Sequence, residues 1–147
     1  MKSLFEAETC QDILKRLEQL DENAQAQWGK MTVGQMAWHC QIPLMVAVRN
    51  KPPKKKPNPF IALFFKKSLY NDRPWRKNLP TAPFAKAREP KNLEEELPRL
   101  KQLVSEVHDL KDREHWNPHP IFGKMTAEQW GKMQYKHLDH HLTQFGL

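Results

Sequence analysis

Three histidines have the side-chain type and the spacing to share one divalent metal ion. His137 and His141 lie four residues apart, so on a helix both imidazoles project from one face, one turn above the other. His39 sits far upstream in a segment that begins as theirs does. Residues 29–35 read GKMTVGQ and residues 123–129 read GKMTAEQ. In each copy the threonine, Thr32 or Thr126, is a natural N-cap, and the glutamine three residues on, Gln35 or Gln129, can reach back to close a capping box. Met31 and Met125 stand where a hydrophobic staple would meet Met36 and Trp130.

Those caps fix the register of both helices. At about 100° per residue, Trp130, Gln134, His137, Leu138, His141, Gln144 and Phe145 share one face, while Lys132, Lys136 and Asp139 take the other. His140 falls toward the edge of the inward face and reads as a rim residue rather than a ligand. His39 lies about 10 Å past its cap and His137 and His141 about 16 and 22 Å past theirs. Antiparallel helices would therefore bring His39 level with the pair. The alternative is packing, because an inward histidine is commonly a hydrogen-bonded core residue. Gln134 and Gln144 are placed to hydrogen-bond the imidazoles or, equally, to bond across helix ends, and His119 with Pro120 could stand at the mouth of the site. His108 and His115 lack ligand spacing and read as surface or turn residues.

Three neutral imidazoles leave the ion's charge uncompensated and at least one coordination position open. Such a site lowers the pKa of bound water toward about 7, or takes a thiolate directly. Zinc and nickel suit the ligand set. A general base is harder to find. Asp139 points away and Glu128 lies near the outside, which leaves the long connection or His119.

The elements that must position these residues are helical. At 147 residues the chain is expected to form one domain, residues 1–147, and its periodic segments lack strand-like alternation. A first helix is expected over residues 4–20, with Ser3 and Glu6 as a capping box and Cys10, Ile13, Leu14, Leu17 and Leu20 as its stripe. A second spans 33–48 with Pro43 inside it, which should kink it beside His39. A third spans 93–110, with Pro98 able to delay its start, and the last starts after Thr126. The longest apolar run, residues 60–65, is too short to span a membrane, and the N-terminus lacks a signal peptide's apolar core. Two cysteines do not make a disulfide framework, so a cytoplasmic setting is expected. Cys10 has no functional signal, and Cys40 reads as core packing, with a thiolate role as the alternative.

Residues 49–91 differ from the rest. They hold 13 Lys and Arg against 2 Asp and Glu, whereas the remainder holds 11 against 15, so the chain's basicity is local. A proline and lysine run, KPPKKKPNPF, leads into an amphipathic segment over 60–70 and then a proline-rich stretch. A connection this long is a functional cover or a crossover. A different function would result if it were a non-enzymatic binding module. Lys54, Lys55, Lys56, Lys66, Lys67, Arg73, Arg76 and Lys77, interleaved with aromatics, could bind nucleic acid or another polyanion. Residues 60–69 could equally lie on an anionic bilayer, and a solvated flap is the plain alternative.

The run WGKMTVGQMAWHC (28–40), the NLPTAP stretch (78–83) and the tail HPIFGKMTAEQWGKMQYKHLDHHLTQFG (119–146) resemble a bacterial family of unknown function within the DinB/YfiT-like superfamily of metal-dependent enzymes. That resemblance implies an all-α, DinB-like four-helix bundle with a long crossover connection between helices 2 and 3. It implies one metal ligand on the second helix and an H-x-x-x-H pair on the fourth, here His39, His137 and His141. It further implies a transferase or isomerase using a low-molecular-weight thiol, beside the hydrolase that metal-activated water would support, acting on a small molecule, with anionic and thiol substrates among the candidates. It is compatible with a homodimer.

Overall fold

The computed structural model covers residues 1–147. It is all-helical, with helices α1 (Ala7–Glu18), α2 (Val33–Arg49), α3 (Pro59–Phe65), α4 (Leu93–Asp109) and α5 (Ala127–Gln144), and no strands. Short 3-10 turns occupy Lys66–Leu69, Pro83–Ala85 and Leu110–Asp112.

Both twin motifs cap their helices as their sequences dictate. Thr32 accepts from the Gln35 amide and Thr126 from the Gln129 amide, and each glutamine side chain closes the box. The glycine three residues before each cap adopts a left-handed φ, +83° at Gly29 and +70° at Gly123, a conformation glycine enters without Cβ strain. The repeated GKMT is thus a repeated turn into a helix.

The first helix starts later than the pattern suggests, at Ala7 rather than residue 4, and Ser3 with Glu6 forms a turn instead of a full capping box. Glu6 Oε2 accepts from the Ser3 amide at 3.3 Å, but Ser3 Oγ accepts from the Phe5 amide rather than from that of Glu6, so only one half of the box forms. Tertiary contacts win here: the Leu4 amide donates to the Gly131 carbonyl at 3.0 Å, and the Leu4 carbonyl accepts from His108 at 2.9 Å. Helix α4 begins at Leu93 despite Pro98, because Asn92 caps it by accepting from the Glu94 amide. Helix α2 runs through Pro43 without a break in its assignment.

The four longer helices pack around a core in which Leu4, Ile13, Leu17, Met36, Leu44, Leu100, Val104 and Leu138 are almost wholly enclosed. Pairings along α2 and α5 run in opposite directions: Trp28 meets Gln144, His39 meets His137, and Pro43 meets Gln134. Along α2 and α4 they run in the same direction, from Gly34 beside Lys91, through Gln41 on Glu96, to Ala47 bonded by Arg113. The Gln41–Glu96 bond, 2.7 Å long and fully buried, joins α2 to α4 and was not readable from either helix alone.

Candidate metal centre

Antiparallel α2 and α5 bring His39, His137 and His141 together. One nitrogen from each lies within 4.8 Å of the others, and the Nε2 atoms of His39 and His137 are 3.0 Å apart. The ring centroids of all three pairs are 4.7 to 4.9 Å apart.

The outer nitrogens fix the tautomers. His39 Nδ1 donates to the Ala85 carbonyl at 2.8 Å, and His141 Nδ1 donates to Gln144 Oε1 at 2.8 Å. Each ring therefore presents a bare Nε2 lone pair. His137 Nδ1 is buried without a partner, and so is Gln134 Oε1, three residues away on the same helical face. Neither atom has a hydrogen-bond partner. If His137 carried its proton on Nδ1, Gln134 Oε1 would be the group to receive it, and a third Nε2 would be bare. Otherwise that proton sits on Nε2 and serves the 3.0 Å contact with His39. One proton shift within a single ring separates the two arrangements.

Burial disfavours the charged form of every ring in the cluster. His141 is pushed down to about 3, first by burial and then by His39. His137 is held well below the ordinary histidine value by burial and by its imidazole neighbours, and burial lowers His39 although its bond to Ala85 works the other way. The three are neutral at pH 7, the form a metal requires. Bare nitrogens around a tetrahedral zinc would stand about 3.3 Å apart at metal–nitrogen distances of about 2.0 Å. The His39–His137 pair stands near that value at 3.0 Å, and all three nitrogens lie within 4.8 Å of one another, so small ring movements would fit the residues to such an ion.

The surroundings separate the remaining candidates. Gln144 contacts His141 and also donates to the Trp28 carbonyl at 2.7 Å. Gln134 donates to the Pro43 carbonyl at 2.9 Å. His140 lies at the rim, its ring 5.7 Å from Trp28 and 5.6 Å from Trp75. His119 is not at the mouth. Its ring packs on Trp130 and Phe122, near the opposite end of α5 from His141, and its Nδ1 accepts from the Ile121 and Phe122 amides. His108 is tied to Leu4 rather than free at the surface. Cys40 is buried against Met36 Sδ, and burial pushes its thiol up, so packing is its role.

Two further residues contribute that carry no sequence signal for the site. One is Ala85, whose backbone carbonyl has no residue-type signal. The other is Lys136, expected on the outer face but buried, with Nζ bonded to the carbonyls of Ser68 and Asn71 and to Asn71 Oδ1 at 2.7 to 2.8 Å. It pins residues 68–75 to α5. Trp75, anchored through Nε1 to the Ser68 carbonyl, then lies 6.0 Å from His137. A family model spans residues 2–146.

The chain belongs to the DUF1569 family, described as proteins of unknown function. No curated protein and no solved structure matches it. The DUF1569 chain has no helix long and apolar enough to cross a membrane. Beside its histidine cluster lies an open cleft of about 620 Å³, bordered by Trp28, Trp75, His140, Lys2, Arg73 and Lys77. Its two carboxylates are already engaged, Asp72 by the N-terminal amine at 2.9 Å and Asp139 by Arg16 at 2.8 Å.

Proposed function

We propose that this chain is a divalent-metal-dependent enzyme of the DinB/YfiT-like type, a four-helix bundle whose second and third long helices are joined by a crossover. The like direction of α2 and α4 supports the crossover. His39, His137 and His141 hold the ion, zinc or nickel, and leave a coordination position open toward the substrate. The observation that carries this reading is the outer-nitrogen pattern: two Nδ1 atoms donate to fixed acceptors, and the third is buried without a partner, as is the oxygen of Gln134 one turn earlier on the helix. A packed histidine core has no need of two bare Nε2 atoms turned toward a third buried imidazole.

When bound, the ion supplies Lewis-acid activation of a water or of a thiol. The cluster contains histidine alone, without an acidic partner to act as base. That favours the thiol, whose deprotonation the ion itself assists. Lys2, Arg73 and Lys77 in the adjoining cleft suit a small anionic thiol, attracted by their unopposed charge. The reaction is then attack of the thiolate sulfur on an electrophilic small molecule: a carbon–sulfur bond forms, the carbon's bond to its leaving group breaks with the electron pair departing on that group, and the thiol proton passes to solvent.

The test has two arms. Zinc or nickel should raise the melting temperature of metal-free protein, and His141→Ala should abolish the rise, with His115→Ala as the exposed control. Metal-loaded protein should accelerate attack of a carboxylate-bearing thiol on a chromogenic electrophile, and His39→Ala should lose that acceleration. A thermal shift without acceleration would retain the metal site and reject the transferase. Equal shifts in all variants would reject both.

A further inference from the structure

Helix α3 shows solvent an apolar surface that neither the core nor the histidine site uses. Its seven residues are PFIALFF, and none is buried. Phe60 and Phe64 are 70% exposed, Leu63 73% and Phe65 60%, with Ile61 also exposed. At about 100° per residue these five side chains sweep roughly 200° of the helix, leaving Ala62 to face the protein. The helix packs chiefly on the 3-10 turn that comes after it, where Leu69 is buried and the Lys66 ammonium bonds the Lys124 carbonyl. It is held at its base and bare above. Contiguous apolar exposure of this kind marks an interaction surface.

Charge decides the partner. Residues 51–67 contain six lysines and no Asp or Glu, with Lys54, Lys55 and Lys56 just before the helix and Lys67 just after it, all exposed. A second copy docking through α3 would set lysine clusters against lysine clusters. A nucleic acid would satisfy the lysines and stack on phenylalanines, but Ile61 and Leu63 would gain nothing. An anionic bilayer matches both features, taking the apolar residues below its headgroups and the ammoniums among its phosphates.

We propose that α3 and its flanking lysines form a peripheral anchor for anionic membrane surfaces. The chain lies on the bilayer through this segment and does not cross it.

Flotation with vesicles tests this. Full-length protein should float with vesicles of phosphatidylcholine mixed with phosphatidylglycerol and remain behind with pure phosphatidylcholine. Phe60→Ser combined with Leu63→Ser and Phe64→Ser should lower the bound fraction by about tenfold or more. So should Lys54→Glu, Lys55→Glu and Lys56→Glu together, by removal of charge attraction. These side chains are exposed, so the variants should keep the native melting temperature, and a variant that does not is replaced by Phe64→Ser alone, scored the same way. No flotation with anionic vesicles would overturn the proposal. Flotation unchanged by the serine substitutions would also overturn it, leaving a simple polyanion site. A native dimer that the serine variant converts to monomer would assign the face to a second copy instead.

Discussion

His141 and His119 are both buried imidazoles, yet they stand in opposite situations. His141 turns Nδ1 to Gln144 and Nε2 toward two other rings, whereas His119 spends Nδ1 on local backbone amides. Gln144→Leu should therefore weaken zinc binding by about 10- to 100-fold through lost ring orientation, with Gln144→Glu, which keeps an acceptor, nearer to native. Competition with a chromophoric chelator measures this, and equal affinity in all three would contradict it. His119 should instead affect stability. Burial lowers it to about 4, against about 6.5 in the unfolded chain. Above pH 6.5 both states are neutral and its contribution is complete. As pH falls from 6.5 toward 4 the unfolded state takes the proton first, and up to about 3 kcal/mol of stability is lost. His119→Gln should flatten that part of a urea-midpoint profile, and a profile parallel to the native one would refute the assignment. In the sequence the two histidines differed only in spacing. That sufficed for the H-x-x-x-H pair, whose geometry is local, but not for His119, whose role is set by Trp130 and Phe122.

Among the elements, glycines at helix contacts reverse an ordinary rule. Alanine is the better helix former by about 1 kcal/mol, but a Cβ on Gly34 would stand 2.0 Å from the Lys91 carbonyl oxygen. Gly34→Ala should therefore destabilise by about 2 to 3 kcal/mol, read by chemical denaturation, and any gain in stability would contradict the close α2–α4 packing. The same distinction explains what was legible. Both capping boxes and the extents of α2, α4 and α5 are set by neighbours three or four residues away. The start of α1 is not, because Leu4 commits its amide and carbonyl to α5 and α4. Lys136 was misplaced for a similar reason. A lysine on the outer arc of a helical projection is ordinarily solvated, and nothing near it in sequence announces the Ser68 and Asn71 oxygens that enclose it.

Across the whole molecule, the 49–91 connection does two things that its composition only hinted at. Its far part reaches the histidines, through the Ala85 carbonyl on His39 and Trp75 over His137, while its near part exposes α3. Composition marked the segment as unusual, but a backbone carbonyl and a tryptophan placed by a buried lysine carry no pattern. Trp75→Ala should leave the three ligands in place and open their cover, so that zinc passes to an excess chelator several-fold faster, with stoichiometry unchanged. Slower or equal loss would show that Trp75 does not shield the cluster. The most direct test of the central claim is a competition titration of untagged, metal-free protein with zinc. Three converging neutral imidazoles predict one equivalent bound per chain, and none in a His137→Ala, His141→Ala double variant that remains folded. A native chain that takes up no zinc, or a double variant that binds it equally, would contradict the account.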